Sequence, residues 1–224
     1  MRRAFALATD RERWASIALS GLHFPATGGL IPPGMPGHAA DIALPFDPDQ
    51  ARHLLAEAGY PDGNGLPKLS FIAPYWAEWG VRQEEFLRSL WLEILGIEVS
   101  FEWLNWPEYE RMLELGTHHM YVSGWSADFV DPDSYLRLAV SELQNGWQNT
   151  RYEQLIDEAR RSTNQEERLK LYQSAENILL EEVPILPAYY RRDLGLLKPW
   201  VKKAPYLPIH EEAWQWEDII IAPH

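Results

Sequence analysis

The stretch Leu69-Ser70-Phe71-Ile72-Ala73 is an apolar run of strand length, bounded upstream by the turn Pro61-Asp62-Gly63-Asn64-Gly65. Beyond it Val81, Leu87, Leu90, Trp91, Ile94 and Leu95 fall on one side of a helix, and Gly96 supplies its C-terminal stop. Ile97, Val99, Phe101 and Trp103 then alternate strictly with Glu98, Ser100 and Glu102, the period of a strand with one buried face. Pro107 opens a short helix ending near Leu115-Gly116, and residues 118–123 read as a third strand. Strand, helix, strand, helix, strand with short connections predicts an α/β fold, a parallel or mixed sheet with covering helices. Ligands gather at the carboxyl ends of strands in such sheets. The third strand empties into Gly124-Trp125-Ser126-Ala127-Asp128-Phe129-Val130-Asp131-Pro132-Asp133, the first place to look for a site.

Upstream, the first twenty residues read as helix, with Asp10 as N-cap for residues 11–19 and Ser20-Gly21 as a stop. A chain that opens inside an amphipathic helix is expected to be a domain cut from a longer protein. Met1-Arg2-Arg3 begins like a signal peptide, but residues 4–8 are too short for its apolar region, so no targeting segment is expected. Between Pro25 and Pro48 the density of Pro and Gly forbids helix interior and ladder pairing alike, which predicts a stiffened loop wrapping the surface. Asp47 then caps a helix with Pro48 at its first position, Ala51, Leu54, Leu55 and Ala58 on its inner face and Gly59 at its end. Downstream, Tyr152, Leu155, Ile156 and Ala159 mark one helix and Tyr172, Ala175, Ile178 and Leu179 another, before a Pro-punctuated tail from Pro184.

With 46% hydrophobic and 24% charged residues among 224, the chain has the balance of a globular domain with a sizeable core. Twenty basic against 33 acidic residues give a net charge of −13, with no basic block, and phosphate backbones repel such a surface. Nucleic acid is not an expected partner. The chain has no cysteine, which removes disulfides, thiolate metal sites and cysteine nucleophiles and leaves the compartment open. No apolar run approaches the ~18 residues of a membrane-spanning helix.

Catalytic signatures are missing: there is no phosphate-binding Gly-rich loop before a Lys, no nucleophile elbow, no HExxH and no GxGxxG. His118-His119 is the one histidine pair, but neighbours in a strand point to opposite faces and cannot share a metal. No metal or cofactor is expected. Asp128, Asp131 and Asp133 invite comparison with a glycosidase pair or a calcium loop. Asp131-Pro132-Asp133 is more simply a helix start with Asp131 as N-cap. Asp128, upstream of that cap and beside aromatics, would receive a ligand ammonium or sugar hydroxyls, or serve as a turn acid; the residues alone favour the turn acid. Eleven Trp and ten Tyr are many for this length. Trp91 and Trp103 lie on apolar faces and are assigned to the core. Trp76, Trp79 and Trp125 fit no apolar period and are either stacking walls for a ligand or simple loop packing.

At these residues the chain resembles the family 5 extracytoplasmic solute-binding proteins, the dipeptide, oligopeptide and nickel binders that feed ABC importers. The resemblance is carried in order by Arg3-Ala4-Phe5-Ala6-Leu7-Ala8, Leu30-Ile31-Pro32-Pro33-Gly34, Phe46-Asp47-Pro48 and Leu54-Leu55-Ala56-Glu57-Ala58-Gly59-Tyr60-Pro61-Asp62-Gly63. It continues through Leu95-Gly96-Ile97, Gly124-Trp125-Ser126-Ala127-Asp128 and Glu181-Glu182-Val183-Pro184-Ile185-Leu186-Pro187. The resemblance implies one lobe of a two-lobed, hinge-closing protein with a type II periplasmic-binding-protein architecture. Residues 1–66 would be its N-terminal helices and wrapping loop, 67–183 its α/β core, and 184–224 a segment returning toward an N-terminal lobe that this sequence lacks. It further implies a periplasmic or extracellular parent anchored to the membrane, an ABC permease as partner, and reversible capture of a peptide or oligosaccharide without chemistry. Asp128 would hold the ligand's amino terminus, with Trp125, Ala127, Phe129, Tyr75, Trp76 and Trp79 around it. One departure stands out: dipeptide binders of the family carry an Arg after the first strand, where Ala73-Pro74-Tyr75-Trp76-Ala77-Glu78-Trp79 has no basic residue. The rival readings are a hydrolase using Asp128 and Asp131 and a stand-alone interaction domain.

Overall fold

The computed structural model describes residues 1–75, 80–141, 143, 146–192, 194–203 and 218–223. Helix α1 (Arg2–Leu7) is followed by the short α2 (Arg11–Arg13), which runs into π-helical turns at Trp14–Ala18. The expected continuous first helix is therefore broken. Asp10 takes extended backbone geometry so that its carboxylate can accept the Arg13 N–H at 2.9 Å, which caps the second segment and ends the first. The stop at Ser20 and Gly21 is as expected, with both residues at positive φ.

Strand β1 (Phe24–Pro25) leads into the Pro/Gly-rich segment, and α3 (Pro48–Glu57) follows, capped by the Asp47 carboxylate with Pro48 in its first turn. Pro25 does join a ladder, contrary to expectation. It sits at the end of a two-residue strand, and the next N–H, that of Ala26, donates to Ala188 O.

The central layer is built from β2 (Leu69–Pro74), α4 (Val81–Leu95), β3 (Val99–Leu104), α5 (Trp106–Leu115) and β4 (Met120–Tyr121). The three strands are parallel in the order β3-β2-β4, with Phe71 level with Phe101 and Met120. This is the expected α/β sheet with covering helices. Gly96 ends α4 in the left-handed region, and its amide donates to Leu92 O. The third strand is shorter than its sequence suggested. His119 and Val122 still donate to Ser70 O and Ile72 O, but the Ser70 side chain also bonds the His119 amide and ring, competing with regular pairing.

Two helices complete the fold, α6 (Thr150–Arg161) and α7 (Gln165–Glu182), each capped by an Asn side chain. Strand β5 (Tyr189–Tyr190) returns to pair antiparallel with β1, and β6 (Val201–Lys203) pairs with β7 (Ile220–Ile221).

Side chains divide between two cores. One packs Leu87, Trp91 and Leu95 of α4 against the sheet, α3 and the N-terminal helices. The other joins Ile31 and Leu136 to Tyr152 and Leu155 of α6 and to Tyr172 and Leu179 of α7. The wrapping loop is fastened to this second core. The fully buried Glu176 accepts the N–H groups of Leu30 and Ile31 at 2.8 and 3.1 Å. Gly29 makes that approach possible: its φ is +85°, and a Cβ there would sit 2.5 Å from the Glu176 carboxylate. Burial pushes the Glu176 carboxyl above its ordinary value, opposed by the Ile31 and Leu30 amides and by His38.

Candidate functional site at the carboxyl edge of the sheet

The parallel register ends all three strands on one side of the sheet, and the loops that leave there carry the candidate residues. After β2 the ladder continues one step, with the Tyr75 N–H donating to Leu104 O at 2.8 Å. The Tyr75 side chain is 76% exposed, its ring 6.3 Å from that of Trp103. Trp76 and Trp79 lie outside the described residues. Trp103 packs against the core as its alternation suggested but is only half-buried: β3 borders the sheet, and the indole N–H turns to Glu84 at 2.7 Å. Trp91, by contrast, is buried as expected, its indole donating to Thr9 Oγ1. After β3, Asn105 caps α5 by accepting the Glu108 N–H, which leaves Trp106 48% exposed at the same edge.

The loop after β4 is tied down at both ends. The Tyr109 hydroxyl of α5 donates to Val122 O, fixing the exit from the strand. At the far end the backbone turns helical from Pro132 directly after Asp131, whose carboxylate accepts the Asp133 N–H at 2.9 Å, so the N-cap reading of Asp131 holds. Arg168 of α7 grips the same carboxylate through both oxygens at 2.6 and 2.7 Å. Burial raises the Asp131 pKa, but the Arg168 hydrogen bonds, the Asp133 amide and the Arg168 charge together outweigh it and hold the carboxyl below its ordinary value. A carboxylate so held stays ionised and is unsuited to donate a proton as a general acid.

Between these ties, Ser134 organises the loop. Its hydroxyl is fully buried, accepts the Asp128 N–H at 3.0 Å and the Trp125 indole N–H at 3.4 Å, and stands 3.5 Å from an Asp128 carboxylate oxygen to which it donates. One proton and two lone pairs match that inventory. Ala127 is buried, with its backbone hydrogen-bonded to the Tyr135 phenol, which burial pushes above its ordinary value. Asp128 and Phe129 are thereby turned outward, Phe129 to 39% exposure. Among the sequence candidates, then, Trp125, Ala127, Asp128 and Phe129 form one braced turn, Tyr75 stands on the neighbouring strand's exit, and Ala127 contributes backbone rather than side chain. Ser134 and Arg168 were not singled out from sequence. A hydroxyl six residues after an acid, in the first turn of a Pro-started helix, is a signal that could have found Ser134; Arg168 lies 37 residues from Asp131 and carries no local signal.

His118 and His119 bond Met112 O and Ser70 respectively. Among the described residues no three His, Cys, Asp or Glu side chains converge as a metal site. Among them also, no helix is long and apolar enough to cross a membrane.

A family model described as bacterial extracellular solute-binding proteins, family 5 Middle, matches residues 1–147. The chain is 31% identical over 214 residues to the probable deoxycholate-binding periplasmic protein of Escherichia coli, covering 92% of this chain and 39% of that protein. It is 30% identical over 195 residues to di/tripeptide-binding protein 1 of Pseudomonas aeruginosa, covering 84% and 36%. Among solved structures it is similar to the murein tripeptide binding protein of Escherichia coli, with a TM-score of 0.82 and 25% identity over 100% of this chain and 45% of that one. The chain thus spans about two-fifths of the length of the curated relatives it matches.

Proposed function

Because the chain belongs to the bacterial extracellular solute-binding proteins of family 5, we propose that it is the C-terminal lobe of an ABC-importer binding protein that captures a peptide reversibly. The observation that carries this reading is the braced turn at Asp128. A buried serine locks the backbone and the indole while the carboxylate is left outward, at the sheet edge where α/β proteins take their ligands. A fixed carboxylate with no ion-pair partner among the described residues, beside aromatic rings, suits a ligand ammonium, whose lost hydration the charge-assisted hydrogen bond offsets. The aromatic exits at Tyr75, Trp106 and Phe129 would supply apolar contact on either side. An oligosaccharide stacked on the same rings is the second reading, favoured by the exposure of Tyr75.

In this reading residues 67–183 form the lobe's α/β core, residues 1–66 wrap it, and residues 184–224 return toward an N-terminal lobe that completes the cleft. The parent would be anchored at the outer face of the membrane and hand its solute to a permease. The reading extends what relatives say of themselves: several are named for peptides, and others for deoxycholate or heme.

The test is calorimetric titration of the complete gene product with a peptide library, repeated for Asp128→Ala. Binding about 10- to 100-fold weaker in the variant, with no turnover of any peptide by either protein, is the expected outcome. Hydrolysis of a bound peptide would sink the transport reading. Half a cleft excludes little water, so these 224 residues alone should bind weakly, and submicromolar affinity for the isolated chain would sink the half-site reading.

A further inference from the structure

The turn Pro61-Asp62-Gly63-Asn64-Gly65 feeds β2 from the edge of the sheet opposite the candidate site. Its first half is packed against the end of α4. A Cβ on Gly63 would meet Gly96 O at 2.6 Å, and one on Gly96 would meet Asp62 O at 2.3 Å, so the two backbones touch and neither position has room for a side chain. The second half faces water. Asn64 and Gly65 are both exposed, and the Asn64 side chain is held by one bond, its Nδ2 donating to Pro61 O at 3.0 Å.

Gly65 supplies what the Asn64 amide could react with. Its N–H donates to no acceptor among the described residues, and a Cβ placed on it would meet nothing within 4 Å. Ring closure between Gly65 N and Asn64 Cγ needs the Asn64 ψ to leave 128°, and a glycine without Cβ or neighbours does not resist that turn. The main brake is the bond to Pro61 O. One exposed hydrogen bond slows the reaction about five- to tenfold relative to the unfolded chain.

We propose that Asn64-Gly65 is a self-modifying site, at which the folded protein deamidates with water as the co-reactant and so loosens the turn that feeds β2. The Gly65 nitrogen loses its proton to solvent and attacks Asn64 Cγ; a C–N bond forms, the Cγ–Nδ2 bond breaks, and Nδ2 takes up a proton and leaves as ammonia. Water then opens the five-membered imide at either carbonyl, giving aspartate or isoaspartate. In sum one water is consumed and one ammonia released, with no change of oxidation state. The new carboxylate has no proton to donate to Pro61 O, and it adds a second negative charge to a turn that already carries Asp62 and packs on the C-terminal end of α4, where the helix dipole disfavours anions. Isoaspartate also lengthens the main chain between the turn and β2.

The experiment incubates the complete gene product in warm, mildly alkaline buffer beside a urea-unfolded sample, and follows residue 64 by peptide mapping in the mass spectrometer. Mapping separates it from the second Asn-Gly pair of the sequence, at Asn145, which lies outside the described residues. In the folded protein Asn64 should convert to a mixture of aspartate and isoaspartate at a rate within about tenfold of the unfolded sample's. Gly65→Ala should slow the conversion severalfold, and Asn64→Asp, which mimics one product, should unfold at a lower temperature than the parent. Residue 64 unchanged in the folded protein, or converting more than about 100-fold more slowly than in the unfolded one, overturns the proposal, because the turn would then protect the pair. Conversion at the parent's rate in Gly65→Ala overturns the role given to Gly65. An unfolding temperature unchanged in Asn64→Asp and in the aged protein alike overturns the loosening of the turn.

Discussion

The sheet core and the helical core are held by different physics. Around α4 two buried hydrogen bonds join neutral groups: the Trp14 indole donates to Gln83, and the Trp91 indole to Thr9, whose hydroxyl donates in turn to Phe5 O. At its margin Arg11 is buried among carbonyls, donating to Pro187 O and Leu44 O, and burial lowers its pKa to about 10 against a small opposing contribution from Tyr190. Between α6 and α7 the buried groups are carboxylates, and each serves more than one element. Asp133 takes Arg137 and the Tyr172 hydroxyl, and Glu176 takes two amides of the wrapping loop. In the first core a substitution costs what its volume costs; in the second it costs what its orphaned partners cost.

That contrast can be broken most directly in the sheet core. Leu87 is fully buried, and Leu87→Ala should destabilise the protein by about 3 kcal/mol in urea denaturation, as large-to-small changes in tight cores do. A loss near zero would mean that the core collapses around the gap. Glu176→Ala comes next, at about 2 kcal/mol, because two loop amides lose their acceptor. Its signature is local: hydrogen exchange at Leu30 and Ile31 should accelerate far more than exchange in β2, and uniform acceleration would contradict the clamp.

Smaller still, and signed, are the pH effects of Asp131 and Glu176, two carboxylates held by α7 or lying on it. Asp131 titrates below its ordinary value, so its contribution is present above that value and is lost as pH falls through the folded one. Glu176 titrates above its ordinary value, so its contribution is complete below that value and is lost as pH rises through the folded one. Asp131→Asn should therefore flatten stability on the acid side and Glu176→Gln above the ordinary glutamate range, measured by denaturation at a series of pH values. Both variants flattening the same side would refute the assignment. The smallest effect belongs to the exposed pair Lys170–Glu166 on α7, where Lys170→Ala should cost no more than about 0.5 kcal/mol.

The same division marks what sequence could reveal. Period-2 and helical patterns located β2, α4 and β3 because burial there is a local property of spacing. The helices α6 and α7 were legible for the same reason. What binds them to the loop was not: Glu176 sits 145 and 146 residues from its partners, and nothing in its neighbourhood distinguishes it from a surface acid. Third-strand length and the exposure of Trp103 were misjudged because alternation records a face without recording a sheet border. At the candidate site, topology pointed to the loop and the family resemblance pointed to Asp128. Ser134, which holds that loop, was hidden because a serine in a helix start looks like any other.

The pairing of β1 with β5, and the reach of Arg11 to Pro187 across 176 residues, have a consequence for synthesis. Residues 11–25 cannot find their final seat until residues 187–190 have been made. At about 5–20 residues per second that delay is roughly 10–35 s. Through that interval Trp14 and Phe24 have no ladder or ring of Tyr189 and Tyr190 to meet, so this segment is among the last to settle.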